Sequence, residues 1–187
     1  MTVILMTTKK KPTKKTVKKL VKKNTGVAKV SDKHSLLGKA LPNMSLETQE
    51  GTLVNLKQLG EKSTQVVLYF YPKDDTPGCT TEACDFRDNM ARLQSLGVRV
   101  LGVSPDDHKS HQKFRLKHEL NFDLLVDKDH KLADKLGVWK LKKFMGREYM
   151  GVERSTFLIA NGKIIQAWQP VKVAGHIDEV LTAVTHK

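Results

Sequence analysis

Hydrophobic positions along this chain fall into two patterns, unbroken runs and spaced stripes, and their alternation sets the first expectation for the fold. Gln65 to Tyr71 is a continuous apolar and aromatic run stopped by Pro72, and Val98 to Val103 is a second, stopped by Ser104-Pro105. Runs of this length without polar alternation predict strands buried on both faces. Between them Ala83, Phe86, Met90, Leu93 and Leu96 recur at helical spacing, which predicts one helix from Cys79 to Leu96 with Gly97 as its stop. A strand, helix, strand order implies a parallel pair joined by a right-handed crossover.

Downstream, Asp107 to Leu120 reads as a helix, Asp123 to Val126 as a short strand, and His130 to Leu136 as a helix ended by Gly137. Ser155 to Ala160 and Lys163 to Trp168 flank Asn161-Gly162, the signature of an antiparallel hairpin with a two-residue turn. His176 to Val184 closes the chain as a helix. Parallel units followed by a hairpin and a final helix predict an α/β protein, a mixed central sheet with helices on both faces.

Charge changes the picture at one end. The chain carries +13, yet residues 1–33 hold eleven lysines and one acid, Asp32, a net of +10. With no aromatic residue and little apolar content in residues 7–33, this segment cannot bury enough surface to offset the entropy of ordering. Disorder is the first expectation for a Lys-rich extension over residues 1–35, with residues 36–187 as the folded domain. The alternative is nonspecific binding of nucleic acid or another polyanion through Lys9, Lys10, Lys11, Lys14, Lys15, Lys18, Lys19, Lys22 and Lys23. Val17, Leu20 and Val21 have the spacing to fold on such contact. No apolar run reaches the roughly 18 residues needed to span a bilayer, and Met1 to Met6 is apolar before its charges, unlike a secretory signal.

Both cysteines, Cys79 and Cys84, lie within six positions of each other. Two thiols cannot staple a chain of 187 residues, so a reducing, cytoplasmic setting with redox or catalytic thiols is expected. Just before Cys79, Thr76 suits an N-cap, Pro77 the first helical position, and Gly78 a close backbone approach. Cys79 then sits on the first turn, where free amides and the helix dipole favour a thiolate. Lowering a thiol from about 8.5 to about 6 takes roughly 3.4 kcal/mol, and a helix terminus gives about 1 kcal/mol, so a further cation is expected nearby. The opposing reading is a buried, inert cysteine.

In an intact helix residues 79 and 84 would place their Cα atoms about 8.6 Å apart, beyond the roughly 7 Å a disulfide tolerates. If the two thiols pair, the first turns of the helix must unwind, which suits a transient bond. Cys84 as a small core residue is the alternative.

Pro72, Thr76 and Cys79 form the Pro-x-x-x-Thr-x-x-Cys motif of the peroxiredoxins. The longer stretch Tyr71-Pro72-Lys73-Asp74-Asp75-Thr76-Pro77-Gly78-Cys79-Thr80, with Cys84, resembles their bacterioferritin comigratory protein, or Q-type, branch. The resemblance runs from about Leu37 to the C-terminus through Val103-Ser104-Pro105-Asp106, Leu124-Leu125-Val126-Asp127, Gly137-Val138-Trp139 and Gly151-Val152-Glu153-Arg154-Ser155-Thr156-Phe157. Within Gly38 to Met44 the chain departs from the branch, with Leu41 for a small residue and Met44 for an aromatic one.

The resemblance implies a thioredoxin-like fold and an antioxidant peroxidase acting on hydrogen peroxide and alkyl hydroperoxides. By the same likeness Cys79 is the peroxidatic nucleophile, Thr76 offers its hydroxyl to the peroxide, and Arg154 supplies the missing cation. Pro72 shields the site from water. Cys84 matches the resolving cysteine, which would form a disulfide with the Cys79 sulfenic acid, and thioredoxin or a similar dithiol would reset it. No metal or organic cofactor is implied, and the branch includes monomers and dimers.

Other readings of the same residues are weaker. A thioredoxin-type reductase needs Cys-x-x-Cys spacing, and here four residues intervene. A metal site from Cys79, Cys84, His108 and His111 has atypical spacing, and both histidines are expected to face solvent on a polar helix. His118, His130 and His176 are expected at the surface or as caps. Asp74, Asp75, Glu82 and Asp85 read as a solvated face, with Glu82 able to order the first helical turn. Trp139 and Trp168 read as packing residues.

Overall fold

Residues 35–61 and 64–185 are described by the computed structural model of the chain. The Lys-rich segment, with its expected disorder or polyanion binding, lies outside the described residues. The elements run β1 (Ser45–Thr48), β2 (Leu53–Asn55), a 3-10 turn (Leu56–Gln58), β3 (Gln65–Phe70), α1 (Pro77–Asp88), α2 (Met90–Ser95) and β4 (Val98–Ser104). They continue with α3 (His108–Lys117), β5 (Asp123–Val126), α4 (Lys131–Lys135), β6 (Trp139–Phe144), β7 (Arg147–Val152), β8 (Ser155–Ala160), β9 (Lys163–Trp168) and α5 (His176–Thr185).

Seven strands form one mixed sheet in the order β2-β1-β5-β4-β3-β8-β9, and β6 pairs with β7 in a separate ribbon. Strand β3, interior to the sheet, lies parallel to β4 and antiparallel to β8. Its unbroken apolar run is explained by burial on both sides. Val66, Leu68 and Phe70 enter one core with Leu132 and Ala133 of α4, while Val67 and Tyr69 enter the other with residues of α1, α2, α3 and α5. Helices therefore cover both faces, as the pattern predicted. Alternate residues of one strand serve two cores because side chains change face at each step.

The β8–β9 turn uses Asn161 and Gly162, both at positive φ, as a two-residue hairpin requires. Gly102 on β4 is needed for a different reason. A Cβ there would lie 2.7 Å from a Leu124 methyl and 2.9 Å from the Tyr69 hydroxyl, so a bare backbone lets that ring lie across the sheet.

The helix expected over Cys79 to Leu96 is two helices. Asn89 breaks it, its side-chain amide donating to the Asp85 carbonyl while its backbone leaves helical geometry. A short polar side chain competing for a backbone carbonyl ends the first helix without disturbing the apolar stripe. The 45–55 hairpin and the 139–152 ribbon are elements the hydrophobic pattern did not announce. No helix among the described residues is long and apolar enough to cross a membrane.

Candidate active site

Strand β3 delivers the chain to a loop, residues 71–76, and α1 begins directly after it. Thr76 occupies the N-cap and Pro77 the first helical position. The Thr76 side chain does not cap the helix, however: its hydroxyl donates to the Lys73 carbonyl at 3.1 Å. Cys79 follows on the first turn, 1% exposed, and Cys84 is partly buried further along the same unbroken helix, both as free thiols.

Arg154 arrives from the junction between β7 and β8. Its carbonyl accepts from Val171, and the preceding Glu153 amide donates to Val138, so the backbone at the junction is pinned from two sides. The guanidinium reaches α1, donating from Nη2 to Cys79 Sγ at 3.2 Å and from Nη1 to Glu82 Oε2. One planar fork thus holds two groups a helical turn apart, a geometry an ammonium could not match. Gly78 borders the fork: a Cβ there would stand 3.4 Å from Nη2.

Glu82 is 1% exposed, which corrects the expectation of a solvated face. Its position fits the stripe Cys79, Glu82, Ala83, Phe86, all buried on the inner side of α1. An acid in an apolar stripe demands a buried cation, and that was the sequence signal for its role. Burial pushes the Glu82 carboxyl up to about 7, while the attraction of Arg154 opposes the rise. In turn, although burial works against the charge of Arg154, Glu82 and Cys79 hold its pKa above the ordinary value.

Asp74 is also buried rather than solvated. Its Oδ1 accepts from the Tyr71 hydroxyl and its Oδ2 faces His111 Nδ1, each at 2.8 Å. His111 is fully buried, a second correction, because α3 turns that position inward onto the loop. Asp75 and His108 do face solvent in part. His118 caps the end of α3, and His130 precedes α4 and stacks on Trp139 at 3.6 Å between centroids. His176 is buried against Phe86 and Trp168 with its Nε2 2.8 Å from Thr156 Oγ1. Pro72, placed by sequence beside the nucleophile, is exposed at the start of the loop.

Burial, followed by repulsion from Arg154, lowers His176 to about 4. Glu82 and His176 therefore tilt stability with pH in opposite directions. The Glu82 contribution is full below its ordinary 4.5 and is lost as pH rises through about 7. That of His176 is full above its ordinary 6.5 and is lost as pH falls through about 4. Relative to wild type, Glu82→Gln lacks the Glu82 contribution while the histidine is common to both, so its Tm difference is expected to climb with pH from about 4.5 to 7. In His176→Gln it is expected to fall, by the same comparison, from about 4 to 6.5. Groups common to all three proteins cancel, so melting curves at stepped pH decide the matter; parallel profiles would contradict the burial of these charges.

Residues 37–168 match the AhpC/TSA family. Peroxiredoxin Bcp of Bacillus subtilis (strain 168) is 52% identical over 146 residues, covering 78% of this chain and 92% of that protein. The chain belongs to the peroxiredoxins, in their Bcp, or Q-type, branch. Peroxiredoxin Bcp of Escherichia coli (strain K12) is 46% identical over 145 residues, 77% of this chain and 92% of that protein. A solved structure of Xanthomonas campestris peroxiredoxin Q superposes with a TM-score of 0.72 at 42% identity, covering 80% of this chain and 94% of that one. The thioredoxin-like fold expected of a peroxiredoxin follows, and with it the coarse activity: the chain is a thiol-dependent peroxidase.

Proposed function

We propose that this peroxiredoxin reduces hydrogen peroxide and alkyl hydroperoxides by a two-cysteine cycle in which Cys79 is oxidised first and Cys84 resolves it. The observation that carries the reading is the Arg154 guanidinium, 3.2 Å from Cys79 Sγ on the first turn of α1. A cation and free helix amides at one sulfur favour its thiolate, the nucleophilic form. Bacterioferritin comigratory protein of Xanthomonas campestris, 42% identical, has alkyl peroxide reduction activity, which supports the substrate class.

In the first step the thiolate attacks the hydroxyl oxygen of the hydroperoxide. An S–O bond forms, the O–O bond breaks, and the departing alkoxide takes a proton to leave as an alcohol. Negative charge moves from sulfur to the departing oxygen, and Arg154 faces that charge throughout. Because Thr76 commits its own proton to the Lys73 carbonyl, its oxygen is left as an acceptor for the hydroperoxide O–H. Pro72 is assigned the outer wall that limits water.

In the second step the Cys84 thiol condenses with the Cys79 sulfenic acid, forming an S–S bond and releasing water. Both cysteines lie on one intact helix, so the first turns of α1 must open before the sulfurs meet. Thioredoxin or a similar dithiol then reduces the disulfide by exchange. Mass spectrometry after one equivalent of hydrogen peroxide tests the cycle. A single Cys79–Cys84 disulfide, a loss of two hydrogens, is expected in wild type, and a lasting sulfenic acid in Cys84→Ser. A lasting sulfenic acid in wild type would remove Cys84 from the cycle.

A further inference from the structure

Behind the active loop lies a buried polar chain that the peroxide chemistry does not use. The Tyr71 hydroxyl donates to Asp74 Oδ1 at 2.8 Å, Asp74 Oδ2 lies 2.8 Å from His111 Nδ1, and His111 Nε2 lies 3.2 Å from the Leu125 carbonyl on β5. His111 is 0% exposed and Asp74 5%. A carbonyl oxygen only accepts, so Nε2 carries a hydrogen, and a second hydrogen lies between Nδ1 and Oδ2. Every polar atom in the chain from Tyr71 to Leu125 thus meets a partner. A buried network completed in this way has one geometry.

Its connection to the site runs through the loop backbone. The Tyr71 amide donates to the Val103 carbonyl, and the Asp74 amide to Asp106 Oδ2 at 2.8 Å. Asp75 turns at φ 54 and directs its carboxylate outward, to Lys117 Nζ and His118 Nε2. His111, Phe114 and His118 lie at helical i, i+3, i+7 spacing, so one face of α3 grips the loop at three places. Phe114 packs on Tyr71 between the two polar anchors, with centroids 6.1 Å apart. Thr76 follows Asp74 by two residues and opens the helix that carries Cys79.

We propose that His111 is a positioning residue for peroxide reduction: through Asp74 it fixes the loop that places Thr76 at the N-cap of the helix carrying Cys79. The proposal rests on the peroxidase reading of those two residues. It assigns His111 no contact with peroxide and no part in holding the Cys79 thiolate, which falls to Arg154 and the helix terminus.

The test is the rate of the first oxidation of Cys79 by hydrogen peroxide, followed by stopped flow on the full chain, with the thiolate titrated by its ultraviolet absorbance. His111→Leu is expected to slow oxidation about 10²-fold, the cost of an active group displaced by about 1 Å. The thiolate titration is expected to stay where it is in wild type. His111→Asn, whose amide nitrogen can take the place of Nδ1 against Asp74, is expected to recover most of the rate. Should the leucine variant fail to fold, Tyr71→Phe removes one bond to Asp74 at nearly constant volume and is expected to cost about tenfold. Equal rates per folded molecule in wild type, His111→Asn and Tyr71→Phe alongside an unslowed His111→Leu would overturn the proposal, as would a leucine variant whose loss is not recovered by asparagine. Wild-type protein whose Cys79 ignores peroxide would overturn the peroxidase reading itself, a distinguishable result.

Discussion

Arg154→Met is expected to slow the first oxidation of Cys79 by about 10²- to 10³-fold, the usual cost of removing one preorganised donor from a developing negative charge. Methionine keeps much of the side-chain bulk and removes both hydrogen bonds, to Cys79 and to Glu82. Removing one partner of a buried ion pair commonly costs about 3–5 kcal/mol because a charge is left stranded. Here the stranded group has an escape. Glu82 titrates at about 7 even with Arg154 beside it, so without that cation it takes up a proton and the fold survives at neutral pH. A protein that melts close to wild type yet has lost most of its peroxide reactivity is therefore the expected outcome. Arg154→Lys is expected to recover only part of the rate, since one ammonium cannot serve Sγ and the carboxylate with a rigid fork. An Arg154→Met protein with unchanged kinetics would remove the guanidinium from the chemistry.

Cys79→Ser is expected to bring peroxide consumption to background. The substitution is nearly isosteric at a position 1% exposed, and the new hydroxyl can accept from Arg154 Nη2, so stability changes little. What disappears is the nucleophile, because an alcohol is a far weaker acid and a far poorer nucleophile than a thiol. Cys84 is then the one thiol left in the chain. Residual turnover above a few per cent, measured as peroxide loss in the presence of a dithiol, would shift the chemistry to Cys84 and contradict the assignment.

How much of this was legible beforehand depended on where each residue finds its partners. The run at 65–71 has no polar alternation because both faces of β3 are covered, and that pattern is visible without coordinates. Asn161-Gly162 and Thr76-Pro77 are local signals that need only their own neighbours, and both fell where expected. By contrast β1 has four residues and β2 three, too few for a period to emerge. The 139–152 ribbon leaves Leu141 63% and Phe144 67% exposed and meets the core only at its ends, through Trp139 and Val152, too few positions for a period to emerge. Glu82, Asp74 and His111 were misplaced for one common reason. Polar residues are assigned to water by default, and the groups that draw these inward lie 72 and 37 positions away in sequence.

The same distinction holds at the site. Cys79, Thr76 and Pro72 belong to one contiguous motif, and their arrangement follows from a loop entering a helix. Arg154 lies 75 residues further on, and only the pairing of β3 with β8 brings it to α1. The need for a cation could be deduced from thiol chemistry, but its identity came from the resemblance.

The central claim is that fixed positive charge at one sulfur makes it a fast nucleophile toward peroxide. The most direct measurement is the second-order rate constant for oxidation of Cys79 by hydrogen peroxide at pH 7, set against free cysteine in the same buffer. A rate at least about 10³-fold above that of free cysteine is predicted; a rate equal to it would contradict the account.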